Sequence, residues 1–315
     1  MLHPFVLLTL AAACWGFGTV VSKQALDQFE PVPLLIVQLG VSVMAVALFH
    51  WCHERRTLDQ PPHRSGMRAA ALGVLNPGIA YALGLAGLAT IAASTAVVLW
   101  ASEPALIALL AVVILRERLT AMLSVALVIA LVGMVLVVYS GDLAGNSAGV
   151  ALTLGAVLAC AVYTVLARIL VVDTSAIRIT LLQQVAALAF AVVLAGVVLI
   201  ASDGSWNGLG EINASGWVTA IASGVLYYGL AFAFYLTALQ SVPASVAGLF
   251  LTLVPVFGLT GALVTGETLD AHQWAGAALV VGSVALVAAT TGRGSRGRRR
   301  QPAREGPTGR QDRPE

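Results

Sequence analysis

Hydrophobic residues along this chain gather into ten blocks separated by short polar joints. The blocks cover roughly residues 5–24, 32–51, 67–88, 91–114, 121–139, 148–170, 177–201, 215–238, 243–265 and 272–290. A helix needs about 20 apolar residues to cross the hydrocarbon core of a bilayer, and each block is close to that length. Gly, Pro, Asn and Asp mark the joints, at Gln28-Phe29-Glu30-Pro31, Gly141-Asp142, Gly145-Asn146 and the polar run Ser202–Ser215. The pattern predicts an all-α polytopic membrane protein with ten transmembrane helices.

One stretch organises the rest. Ile91–Thr120 reads as a membrane-length apolar helix with Glu103 and Pro104 near its middle, closing on Arg116-Glu117-Arg118. A related stretch, Ser241–Leu269, returns about 150 residues later. Ser94 to Pro104 and Ser245 to Pro255 have the same spacing, and both stretches end in Glu-x-Leu, at Glu117 and Glu267. Elsewhere Cys14–Phe17 lines up with Cys160–Tyr163, the same offset carries Gln38 to Gln184, and Tyr81–Leu88 lines up with Phe232–Leu239. Each unit therefore holds five helices, and an odd number of spans inverts the second unit relative to the first. Inverted repeats around a midplane cavity are the architecture of many secondary transporters. The expected organisation is a first five-helix repeat over 5–139, an external linker at 140–147, a second repeat over 148–290, and a disordered basic cytoplasmic tail at 291–315.

Composition agrees with a membrane interior. Hydrophobic residues make up 59% of the chain and charged residues 10%, with mean hydropathy +0.91; soluble domains carry about 25% charged residues. The net charge of +2 says less than the placement of the charges. Arg55, Arg56, Arg64, Arg68, Arg116, Arg118, Arg168, Arg178 and the tail arginines fall on one face of a ten-span arrangement. Asp27, Glu30, Asp142, Asp203, Glu211, Glu267 and Asp270 fall on the other, with Lys23, the only lysine, as its one basic residue. The positive-inside rule then puts both termini in the cytoplasm. The scarcity of Lys and the Ala, Val and Arg bias suit a bacterial inner (plasma) membrane. Cys14, Cys52 and Cys160 have no metal-like spacing and read as small buried residues. Leu8–Cys14 resembles a lipoprotein cleavage site, but Met1–Pro4 lacks a basic residue and the apolar run continues, so an uncleaved first helix is expected.

The chain resembles the EamA-type members of the drug/metabolite transporter superfamily over roughly residues 5–290. The resemblance rests on Trp15-Gly16 in the first helix, on Ser94–Thr120 with Glu103-Pro104 and Arg116-Glu117-Arg118-Leu119, and on the echo ending Gly266-Glu267-Thr268-Leu269. It implies a ten-helix bundle around a central cavity that moves small metabolites, usually outward, and it names no substrate. Two positions depart from the family pattern. Gln38 stands where such proteins often have Arg, and Val254 occupies the place of Glu103 in the second repeat.

Glu103 is the sharpest candidate. A carboxylate near the bilayer centre costs about 2.5–3.5 kcal/mol on insertion scales, so it belongs against the bundle interior or water. Burial disfavours its charged form, which would let it take up and release a proton in a transport cycle; alternatively it is a neutral acid satisfying backbone groups freed by Pro104. Pro104 and Pro255 remove helical hydrogen bonds at matched places and favour kinks. Trp15, Tyr81, Trp100, Tyr163 and Tyr228 are aromatic residues well inside the spans, and Gln38, Asn76 and Gln184 are polar groups at membrane depth that need partners. These eight form the candidate substrate path, with packing and interhelical hydrogen bonds as the alternative role of each. Lys23 reads as an interfacial anchor, and Glu117 and Glu267 as structural helix ends.

Other classes find less support. No P-loop is present, so ATP hydrolysis is not expected. No Asp pair lies within the spans, His53-Glu54-Arg55-Arg56 lacks the second His of a zinc site, and no G-x-S-x-G elbow occurs. No catalytic residue, cofactor or metal ion is expected; the alternatives are a non-transporting accessory or channel subunit and, with less support, a membrane-embedded enzyme. The few charges in the spans favour an amino acid or related amphipathic metabolite over polyanions. The expected partners are that small-molecule substrate and the lipid bilayer, not nucleic acid, and a homodimer is compatible with the chain.

Overall fold

A computed structural model describes residues 3–53, 64–88, 99–100, 102–138, 147–171, 175–201, 209–264 and 271–298. Helices follow one another as α1 (Pro4–Leu26), α2 (Pro31–His53), α3 (Arg64–Gly73), α4 (Ala80–Leu88), α5 (Glu103–Leu115), α6 (Ala121–Val138) and α7 (Ser147–Val171). After them come α8 (Ala176–Ala201), α9 (Ala214–Ser223), α10 (Ala231–Leu239), α11 (Ala244–Leu251), α12 (Val254–Val264) and α13 (Ala271–Arg298). A π-helical segment joins α3 to α4 (Val74–Ile79) and another joins α9 to α10 (Gly224–Leu230). Among the described residues there is no strand. Among the described residues six helical runs are long and apolar enough to cross a membrane, and three shorter apolar helices accompany them.

Two expectations change. Glu103 does not sit mid-helix: α5 begins at Glu103, with Ser102 as its N-cap. The last helix also runs to Arg298, into the stretch expected to be disordered. The expected tail beyond it, residues 140–146 of the expected 140–147 linker, Ser94, Arg55, Arg56, Asp142, Asp203, Glu267 and Asp270 lie outside the described residues, as does the side chain of Lys23.

The short helices have a common cause. Proline lacks the N–H that would bond four residues back, so Pro104 and Pro255 each force a restart. Before Pro104, Ser102 N–H bonds Leu99 O (3.1 Å); before Pro255, Leu253 N–H bonds Phe250 O (3.1 Å), each residue lying 151 places from its counterpart. The π segments match in the same way. Gly73-Val74-Leu75 and Gly78 recur as Gly224-Val225-Leu226 and Gly229. Each segment closes with a five-residue hydrogen bond, from Ala80 N–H to Leu75 O in one and from Ala231 N–H to Leu226 O in the other.

The two glycines at the head of those segments permit close crossing. A Cβ on Gly224 would lie 2.8 Å from the Gln38 carbonyl oxygen, and one on Gly73 would overlap the Gln183 backbone. The packing thus pairs Gln38 with Gln183, one residue from the correspondence suggested by spacing. The first π segment and α3 lie on α8, while the second π segment lies on α2, and α1 packs on α10 as α7 packs on α4. One large core joins these elements around Trp15, Ile107, Tyr163, Phe232, Tyr235 and Phe250. On the outside, Val125, Val128, Val132 and Val135 of α6 are exposed at helical spacing, an apolar face suited to lipid rather than water.

Candidate functional site

Glu103 opens α5 in its first turn, where the partial positive charge of a helix N-terminus favours an acidic group. Its side chain is half-buried, and no hydrogen bond or ion pair holds the carboxylate among the described residues. Its electrostatic neighbours are Cys160 of α7, Tyr227 of the second π segment and Tyr235 of α10. Elements from both halves of the chain therefore meet at this carboxylate.

Tyrosines crowd the same region. Tyr81, Tyr227 and Tyr228 form a triangle with ring centroids 5.2–5.6 Å apart, and Tyr227 also interacts with Thr19. Tyr228 is nearly buried, whereas Tyr81 and Tyr227 keep partial exposure. Alongside, Trp15 meets Phe232 at 5.4 Å and Tyr235 at 5.3 Å, both edge-on, and Phe232 meets Tyr163 at 6.1 Å. Edge-on pairing lets each ring's positive rim meet a negative face. The Trp15 indole N–H is buried and has no partner among the described residues.

The polar candidates divide by their hydrogen bonds. Gln38 Nε2 donates to Ser22 Oγ at 3.0 Å and Ser223 Oγ at 2.8 Å, which ties α2 to α1 and α9. Gln184 Nε2 donates at 3.0 Å to the Tyr228 carbonyl, within the π segment. Tyr163 donates to Gln183 Oε1 at 2.8 Å. Asn76 adopts an extended conformation (φ −148°, ψ 121°) inside the first π segment, and its buried Oδ1 has no partner among the described residues. Trp100 is half-buried, and its ring faces Gly84 of α4. Pro104 is buried and Pro255 half-buried.

Trp15, Tyr81, Tyr163, Tyr228 and Glu103 thus come together in space, while Gln38 and Asn76 stand at the helix crossings beside them. Tyr235, Cys160 and Thr19 complete the cluster and were not among the expected site residues. A signal for Tyr235 existed: it lies one helical turn from Phe232 and so shares its face. At a different place, Glu117 Oε1 accepts from Ala244 N–H (2.8 Å), and Oε2 accepts from Ser245 N–H (3.1 Å) and Ser245 Oγ (2.5 Å).

Family comparison decides the class. The EamA-like transporter family matches residues 4–139 and again residues 147–289. The chain belongs to the EamA-like transporter family. It is accordingly a multi-pass membrane protein of the drug/metabolite transporter superfamily, working on a small-molecule substrate in a lipid environment. This EamA-like chain is 23% identical over 289 residues to a protein of Archaeoglobus fulgidus named as an uncharacterized transporter, covering 91% of this chain and 99% of that one. A solved crystal structure shares its fold with a TM-score of 0.76 at 18% identity, over 92% of this chain and 98% of the other. The doubled family match coincides with the duplicated π segments and proline breaks.

Proposed function

We propose that this EamA-like protein is a secondary active transporter that exports an amino acid or related amphipathic metabolite by alternating access. Its ten spans form two inverted five-helix repeats around a central path, in a plasma membrane with both termini cytoplasmic. Trp15, Tyr81, Trp100, Tyr163 and Tyr228 border the path, joined by Tyr227 and Tyr235. Gln38, Asn76 and Gln184 stand at its edge, and the hydrogen bonds of Gln38 and Gln184 tie neighbouring helices together. The matched breaks at Pro104 and Pro255 give the two halves equivalent points to bend. A homodimer is compatible with this reading.

The observation that carries the proposal is the Glu103 carboxylate, half-buried at a helix N-terminus among tyrosines with no hydrogen bond or ion pair among the described residues. An isolated ionised group at such a place is costly, so it is neutralised by a proton or by a cationic group of the substrate. Alternate occupancy by the two couples flux to the proton gradient; one charge crossing 100 mV is worth about 2.3 kcal/mol. The test is flux from proteoliposomes loaded with an amino-acid and metabolite mixture, with and without an imposed pH gradient. Gradient-driven flux of one compound is expected, falling at least about tenfold in Glu103→Gln while the protein stays folded, the loss expected of a coupling group. Equal flux in the variant would remove Glu103 from the coupling path.

A further inference from the structure

Alternating access needs one end of the bundle sealed while the other is open, and here the sealing contacts can be named. The turn between α10 and α11 is gripped from both sides. Arg168 Nη1 donates to the carbonyls of Leu239 (2.6 Å) and Gln240 (2.9 Å) at the end of α10, and Gln240 Nε2 donates to Val171 O at 3.0 Å. Glu117 meanwhile takes the first free N–H groups of α11, at Ala244 and Ser245, together with the Ser245 hydroxyl. A cation on the carbonyl end of one helix and an anion on the amide end of the next both suit the helix dipoles.

The two grips differ in what they join. Arg168 and the turn it holds belong to the same family repeat, 147–289, whereas Glu117 belongs to 4–139. α11 starts after Pro243, which makes no side-chain cap, so its leading amides rely on a carboxylate from the other half. Inward from that bond, Gly248 of α11 lies against Ile107 of α5, where a Cβ would come within 2.9 Å of Ile107. α5 and α11 are therefore closed from Glu117 toward the core, while Glu103 at the far end of α5 remains unpaired.

We propose that Glu117 and the N-terminus of α11 form the gate at the arginine-rich end of the bundle, latched in this structure and released when that end opens. The inference rests on the alternating-access reading. Release exposes a carboxylate and two amides, all of which water can satisfy once that end is wet, so the latch opens without leaving buried orphans. An unsatisfied helix start in a dry interior would have no such route.

Cys160 is a native reporter: it is 4% exposed and neighbours Glu103. With Cys14→Ser and Cys52→Ser it becomes the single thiol, open to alkylation by a membrane-impermeant maleimide added to either face of oriented vesicles. Glu117→Gln should raise its alkylation from the Glu117 side about fivefold, the population change expected from losing one such hydrogen bond, with no rise from the opposite side. Ser245→Ala keeps both amide bonds and should give a smaller rise from the same side. Unchanged rates in both variants, or an equal rise from both faces, would overturn the gate. Should Glu117→Gln fail to fold, the sided response of Ser245→Ala decides. Labelling needs no substrate, so a flat response with flux intact sinks the gate alone. A sided rise with no flux of any compound sinks the transport reading and leaves the gate.

Discussion

Gly224 lies directly on the backbone of Gln38, so close that a methyl group there would sit 2.8 Å from the Gln38 carbonyl oxygen. Gly73 meets Gln183 in the same manner. Both contacts involve main chain, which cannot rotate away as a side chain can. Gly224→Ala and Gly73→Ala should each cost about 1–3 kcal/mol, the range for overpacking a tight core. Gly40, whose added Cβ would meet nothing within 4 Å, is the control: Gly40→Ala should be neutral or stabilising by up to about 1 kcal/mol. Denaturant unfolding in micelles measures all three, and a Gly224→Ala protein as stable as Gly40→Ala would contradict the crossing.

Among the described residues Tyr163 supplies the one partner of Gln183 Oε1, at 2.8 Å, while Gln183 Nε2 is buried without one. Tyr163→Phe therefore leaves both ends of a buried amide unsatisfied and should cost about 1–2 kcal/mol. Tyr235 makes a contrasting contact, 3.5 Å to Thr164 Oγ1, at the limit of a hydrogen bond. Tyr235→Phe should then change stability by less than about 0.5 kcal/mol. Thermal unfolding of the two variants side by side is the check, and equal losses would contradict the assignment.

The all-helical membrane class and the family were legible in the sequence, because apolar blocks of bilayer length and duplicated motifs are one-dimensional signals. The position of Glu103 was not. A hydropathy pattern runs through Pro104 without a break, although the missing N–H ends one helix and starts another. The π segments were present in plain form as Gly-Val-Leu-x-x-Gly at 73–78 and 224–229, yet that pattern announces no particular backbone until the crossing helix is known. Tyr235 and Cys160 went unassigned because their relation to Glu103 depends on how α7 and α10 rotate in the bundle, which spacing along one helix does not fix. Glu117 was expected to be a structural helix end, and nothing local pointed to its partner, which lies 128 residues away at Ser245.

Arg168 places one guanidinium nitrogen on two carbonyls at the end of α10. Hydrogen bonds to charged groups contribute about 1.5–3 kcal/mol, so Arg168→Ala should lower stability by about 2 kcal/mol. Arg168→Lys retains the charge at the helix end but presents a compact ammonium in place of a planar fork, and should recover about half of that loss. The midpoint of denaturant unfolding separates the three proteins. Full recovery by Lys would mean that charge at the helix terminus, rather than the paired geometry, supplies the stability.

Arg116 closes α5 in the left-handed region, at φ 54° and ψ 32°, with its N–H bonded to Ala111 O. It is the one non-glycine residue with positive φ among those described. That turn carries the chain away from α5 and brings Glu117 to α11. A side chain in the left-handed region costs about 1–2 kcal/mol relative to glycine, which adopts it freely. The second Glu-x-Leu ending carries Gly266 at the matching place in the sequence. Arg116→Gly should therefore stabilise the fold by about 0.5–1 kcal/mol once the greater freedom of an unfolded glycine is deducted. Arg116 is exposed, so its removal takes little packing away. Thermal unfolding at matched detergent concentration is the measurement. A loss of stability would mean that the guanidinium makes a contribution exceeding the strain of its backbone, and that the turn is held by charge as well as by conformation.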